Sequence, residues 1–176
     1  MRKSTAAVVS ACFLTGVAGL LLAQQEKRAS PHEQTSATIG GKKITIEYGR
    51  PYKKGRTIFG GLVPFDKVWR TGADEATMLT TEADLMIGKL HVPAGSYSLF
   101  TVPGESKWTL IVNKVAKQWG AYKYEEAQNL GTTEMKAASG PAVEQFTISI
   151  EAQGDRKGTL KMAWDQTVAT APIIVH

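Results

Sequence analysis

Arg50, Lys54, Arg56 and Arg70 are the first residues in this chain whose type and spacing could do chemistry. They fall within one stretch, YGRPYKKGRTIFGGLVPFDKVWRTGADEAT, which also holds Trp69, Asp74 and Glu75. A guanidinium fork suits carboxylate, phosphate or sulfate because two parallel N–H bonds meet two oxygens. Over residues 42–70 eight basic residues stand against two acidic ones, Glu47 and Asp66, a local +6 in a chain of formal net charge +5. Such clustering focuses positive potential and favours an anionic partner, although a solvated basic loop kept for solubility has the same composition. Asp74 and Glu75 are the nearest carboxylates and could pair with Arg70 to no chemical end. As neighbours on a strand they are expected on opposite faces, not as a paired-carboxylate catalytic site.

His32, in SPHEQT, is the candidate acid or base, since an unperturbed imidazole titrates near neutrality; Glu75 is the other. His32 joins the basic stretch only if the N-terminal segment closes over it, and is otherwise an exposed residue near the start of the folded chain. His91 and His176 do not complete a set with metal-ligand spacing, so no metal is expected. The sequence has no G-x-S-x-G, no Walker loop and no dinucleotide fingerprint, and no cofactor is expected. No basic helix, zinc finger or ribonucleoprotein signature accompanies the charge, which argues against nucleic acid as partner. Trp69, Trp108, Trp119 and Trp164, with Tyr52, Tyr97, Tyr122 and Tyr124, could stack on sugar rings. Trp108 and Trp164 lie in alternating runs and read as core, whereas Trp119, in QWGAYKY, is the one expected outside.

The elements that must hold these residues read as strands. Short β-branched or aromatic runs are broken by Gly, Pro and Asp, as in Thr35–Ile39, Gly40-Gly41, Lys43–Tyr48, the clearest hairpin. Further strands are expected at Glu75–Thr80, Leu85–Ile87, Lys89–Val92, Tyr97–Val102, Trp108–Asn113, Gln145–Glu151, Thr159–Trp164 and Thr170–Val175. A helix is plausible only around Lys123–Asn129. Some eight to ten short strands at this spacing predict an all-β chain, an antiparallel, jelly-roll-like β-sandwich. The thirty residues from Tyr48 to Thr77 are too apolar for a disordered connection, with Ile58, Phe59, Val63 and Trp69 among them. They predict an ordered loop, pinned to the sandwich by its aromatics, that holds the four cations in place.

With 176 residues and 43% apolar content the chain suits one globular domain. Arg2 and Lys3, the apolar run Ala6–Leu22 and the small Ala23 have the build of a secretory signal peptide over residues 1–23. An uncleaved anchor is the rival reading, and Cys12 after Val-Ser-Ala is a weak lipoprotein box. Residues 24–33 are expected as an N-terminal arm and 34–176 as the single domain. Cleavage leaves 19 basic and 16 acidic residues, no cysteine and no membrane span, so an exported protein held by its core alone, without disulfides.

SPHEQT, IEYGRPYKKGRTIFGG, PFDKVWRTGADEAT, PAGSYSLFTVP and WTLIVNK resemble successive blocks of the bacterial domain of unknown function 2911 family, and QWGAYKY and MAWDQTVATAPI fit its weaker later blocks. The resemblance implies an exported, mainly β protein and brings no activity, substrate or catalytic residue. Asp74 departs from it, since asparagine is expected there.

Three functions are compatible with these residues. The first is a binding module for an anionic small molecule or acidic glycan, with Arg50, Lys54, Arg56 and Arg70 supplying charge and Trp69 a wall. The second is a hydrolase or lyase for an anionic substrate at the same site, with His32 or Glu75 as acid/base. The third is a structural envelope interaction protein whose cations form only internal ion pairs.

Overall fold

Gly40 and Gly41 adopt φ of +60° and +75°, the left-handed pair that a two-residue hairpin turn requires, and so fix the register of the first two strands. A computed structural model describes residues 28–176; the leader read from residues 1–23 lies outside them. Strand β1 (His32–Ile39) pairs with β2 (Lys42–Gly49) from His32↔Gly49 to Ile39↔Lys42. The hairpin therefore starts three residues earlier than Thr35, which draws His32 out of the expected arm and sets it beside Gly49. On β2, Ile44, Ile46 and Tyr48 are buried while Glu47 points outward, as alternation requires.

The remaining strands are β3 (Thr77–Thr81), β4 (Leu85–Ile87), β5 (Leu90–Val92), β6 (Gly95–Val102), β7 (Lys107–Asn113), β8 (Asn129–Ala152) and β9 (Lys157–Val175). All pair antiparallel, in one nine-stranded sheet of order β1-β2-β3-β6-β7-β8-β9-β4-β5. The chain is all-β, as its turn-punctuated pattern predicts. Three local expectations change. Gln145–Glu151 is the far end of a 24-residue strand, and Thr159–Trp164 and Thr170–Val175 are parts of a single one. The β8–β9 register shifts between Ser139 and Thr147, around Gly140-Pro141, so the pair bends there without ending. The helix expected near Lys123–Asn129 is a three-residue 3-10 turn, Glu126–Gln128, with no side-chain cap.

That bend brings distant strands of the one sheet together around a common core. Beyond Lys136 strand β8 leaves β7, and β8 also comes against β1, at the far end of the sheet order, with the Tyr48 side chain of β2 reaching Ile148. The Tyr48 hydroxyl stands where a neighbouring strand would: it accepts the Ile148 N–H at 2.9 Å and donates to the Ile148 carbonyl at 3.3 Å. Burial pushes the Tyr48 phenol above its ordinary pKa, against the opposing pull of that hydrogen bond and of Arg50, so it stays neutral and keeps its proton to donate. That core holds Leu79, Leu99, Leu110, Trp108, Phe146 and Trp164. Ile111, out of step with Leu110 and Val112, joins Phe100 and Ala76 on the opposite face, as a run apolar on both sides requires.

Tyr48→Phe keeps the ring and leaves both Ile148 backbone groups buried and unpaired. A loss of about 1–3 kcal/mol is expected, measured by urea unfolding. An unchanged midpoint would mean that the hydroxyl does not bridge β2 to β8.

Candidate functional site

Residues 50–76 cross from β2 to β3 as an irregular segment, and its aromatics hold it. The Trp69 ring stacks on Trp164 at 6.1 Å and 17°, and meets Phe146 edge-on at 5.1 Å. Phe59 packs on Trp108 at 4.8 Å, and Ile58 and Val63 are buried. These contacts join the crossover to β7, β8 and β9, so the expectation of an ordered, aromatic-pinned loop is met. Backbone bonds complete the hold. Trp69 and Thr101 exchange N–H···O bonds of 2.7 and 2.9 Å, Thr77 N–H reaches the Arg70 carbonyl at 3.1 Å, and Phe146 N–H reaches Pro51 at 2.9 Å.

Arg70 is thus fixed at both flanks. Thr71, next to it, has φ +60°, a region that β-branched residues avoid, at a cost on the order of 1–3 kcal/mol. Its hydroxyl on Thr101 Oγ1 and its carbonyl under Thr77 Oγ1, at 3.1 and 2.6 Å, hold that conformation. Asp74 is also left-handed, at φ +62°. Aspartate and asparagine tolerate this region best among residues with a side chain, so the departure from asparagine keeps the backbone preference and adds a charge.

The cations then separate into two groups. Lys54, Arg56 and Arg70 line a hollow of about 410 Å³, together with Trp69, Trp164 and Asp74. Arg56 also caps the carbonyls of Tyr52 and Lys53. Arg70 is half-buried; its Nε is shut off from solvent, and no acceptor meets it among the described residues. Among the described residues Asp74 is the one carboxylate lining this hollow; it accepts the Ala29 and Ser30 N–H groups at 3.4 and 3.2 Å and makes no ion pair with Arg70. Arg50 does not line the hollow. Its guanidinium donates to the Phe146 carbonyl at 3.0 Å and Thr147 Oγ1 at 2.8 Å and pairs with Glu33, sealing the unpaired edge of β8. Lys53 pairs with Asp165 at 2.6 Å in the same structural manner.

His32 and Glu75 face a neighbouring hollow of about 430 Å³, which they line with Arg28, Glu47 and Trp119. His32 Nε2 lies 2.9 Å from Glu75 Oε2, too oblique for a hydrogen bond, and 3.8 Å from Asp74. Both carboxylates therefore meet the imidazole, contrary to the expectation of opposite faces. The strand starts at Thr77, not Glu75, and the left-handed turn at Asp74 breaks the alternation. Arg28 donates to Glu75 Oε1 through Nε at 3.0 Å and Nη2 at 2.7 Å. Sequence reading overlooked Arg28, which stands in a charged run with nothing to mark it. Residues 28–32 are the partition: Arg28 and His32 line one hollow, Ala29 and Ser30 the other.

Burial is the largest influence on the Glu75 carboxyl and pushes its pKa up. The hydrogen bonds from Arg28 and from its own backbone N–H, with the positive charge of His32 and Arg28, outweigh burial and leave it below the usual glutamate value. No group of three or more His, Cys, Asp or Glu among the described residues has the arrangement to hold a metal ion. No described helix is long and apolar enough to cross a membrane.

A family model described as "Protein of unknown function (DUF2911)" matches residues 30–173. No curated protein and no solved structure matches the chain.

A depressed folded-state pKa adds stability above the unfolded value and loses it as pH falls through the folded one. Wild type is therefore expected to lose more thermal stability than Glu75→Gln between about pH 6 and about pH 3. Parallel melting-temperature curves for the two would contradict the latch between Arg28, His32 and Glu75.

Proposed function

Because the chain belongs to the DUF2911 family, whose description assigns no activity, its function has to come from geometry, and we propose that it is a binding module for an anionic small molecule or acidic glycan. One observation carries this reading: Arg70 lines an open hollow with a buried Nε that has no acceptor among the described residues, beside Lys54 and Arg56. A buried donor left unpaired costs about 1–3 kcal/mol, and an anion seated in the hollow would remove that cost. Asp74, the carboxylate that shares this hollow among the described residues, is already bonded to the Ala29 and Ser30 amides. The walls favour an anion with a ring or apolar body over a bare inorganic ion, since Trp69, Leu62, Val63 and Pro51 line the hollow with the cations. The structural alternative accounts for Arg50 and Lys53, which are internal pairs, and leaves Arg70 unexplained.

A second reading, a hydrolase or lyase, is favoured by the 2.9 Å approach of His32 to Glu75. The pair opens on the adjoining hollow, so its substrate would have to reach across Asp74 from the cation side.

The test is thermal. Millimolar galacturonate or oligogalacturonate at low salt is expected to raise the melting temperature, by about 2.7 kcal/mol of stabilisation at a hundredfold excess over the dissociation constant. Arg70→Ala should abolish the shift, and Arg50→Ala should lower the starting stability yet retain the shift. No shift across phosphate, sulfate and uronates would reject the binding reading. Turnover of uronides by wild type, lost in His32→Asn while the thermal shift persists, would establish the enzyme reading; no turnover would remove it.

A further inference from the structure

Trp119 belongs to neither the cation hollow nor any strand, and the residue is 42% exposed although its backbone is hydrogen-bonded on both sides. Ala76 N–H reaches the Gln118 carbonyl at 2.9 Å and Gly120 N–H reaches the Asp74 carbonyl at 3.0 Å, so residues 118–120 form a bridge to the start of β3. Gly120 sits at φ +63° with the Tyr122 ring against it: a Cβ there would come within 3.0 Å of that ring. The Gln118 amide is tied to Asn113 Oδ1 and the Val115 carbonyl, each at 3.0 Å. An exposed tryptophan loses the gain of burial, and here the hydrogen-bonded segment carries it outward instead of tucking it under.

What flanks the indole indicates what covers it. Trp119, Lys117 and Gln118 are shared by two hollows, the one of about 430 Å³ that contains His32 and Glu75, and another of about 500 Å³ that contains Tyr122. Each has room for a sugar ring. The charged side chains lining the first are Arg28 and Lys117 against Glu47 and Glu75, which balance, with His32 and Gln118 adding further polar groups. The second sets Lys117 and Lys123 beside Glu125, Gln118 and Gln128. Closely spaced donors and acceptors of both signs select neither an anion nor a cation. They suit a ligand dense in hydroxyl groups, each of which can both donate and accept. A flat indole face between two such hollows suits the C–H face of a pyranose. Tyr122, 87% exposed, adds a second aromatic surface to the hollow of about 500 Å³ that Trp119 also lines.

We propose that the Trp119–Tyr122 ridge and its two flanking hollows form a binding site for a neutral oligosaccharide, one ring seated on Trp119 and the next reaching into the hollow of His32 and Glu75. This site is separate from the cation hollow, and it needs neither an occupied Arg70 nor a proton transfer by His32.

The experiment is a titration of the purified protein with neutral tetrasaccharides of β-1,4-glucose, β-1,4-N-acetylglucosamine and α-1,4-glucose, followed by the indole Nε1–H resonances. The Trp119 resonance is expected to move with at least one of them, while those of the core residues Trp108 and Trp164 stay fixed. Affinity should fall about tenfold or more in Trp119→Ala, an exposed substitution, and partly recover in Trp119→Tyr. Arg70→Ala should bind as wild type does, so that the saccharide site can fail or hold independently of the anion site. No movement with any neutral saccharide at millimolar concentration, equal binding by Trp119→Ala, or binding restricted to charged sugars and lost in Arg70→Ala would each overturn the proposal.

Discussion

The stacking of Trp69 on Trp164 is the contact on which the candidate site depends. It joins a segment without secondary structure to the core, and does so one residue before Arg70. An arginine on an unanchored loop of this length would sample many orientations, and the entropy of ordering it would oppose ligand binding. Here that ordering belongs to folding, since Trp69 is only 8% exposed and its backbone exchanges hydrogen bonds with Thr101. The neighbouring Thr71, kept left-handed by two hydroxyl contacts, is the strain that such fixation entails.

The bend of β8 and β9 makes this anchoring possible. A straight hairpin would leave β8's far half with one bare edge. Instead that edge is closed by groups of the crossover and its approaches: Tyr48 on Ile148, Arg50 and Pro51 on Phe146, Lys53 on Glu144. Basic residues therefore divide by geometry. Those close to the β8 edge, Arg50 and Lys53, have protein partners, and those farther along the crossover line a cavity. The N-terminal segment completes the arrangement by clamping Asp74 and Glu75, which keeps those carboxylates away from Arg70 and separates two hollows of different electrostatic character.

Much of this was legible in the residues. The Gly40-Gly41 turn, the alternation of Ile44, Ile46 and Tyr48, the double-sided run at Leu110–Val112, the buried Trp108 and Trp164 and the exposed Trp119 all follow from local pattern, because local pattern decides them. The continuity of β8 and β9 was not, since Gly140 and Pro141 read as a break until a partner strand bends with them. Nor was the split among the cations: Arg50 and Arg70 have the same chemistry in sequence, and only the course of β8 distinguishes them. Arg28 carried no signal at all, because its importance comes entirely from a carboxylate 47 residues away. Asp74 and Glu75 were misjudged through an assumed strand, where a single left-handed residue redirects both side chains.

The most direct test of this account is to observe the arginine Nε–Hε resonances individually while an oligogalacturonate is added at low salt. The account predicts that the Arg70 signal moves on saturation and that the Arg50 signal, enclosed by Phe146, Thr147 and Glu33, does not. An unmoved Arg70 signal, or one that shifts no more than Arg50, would contradict it.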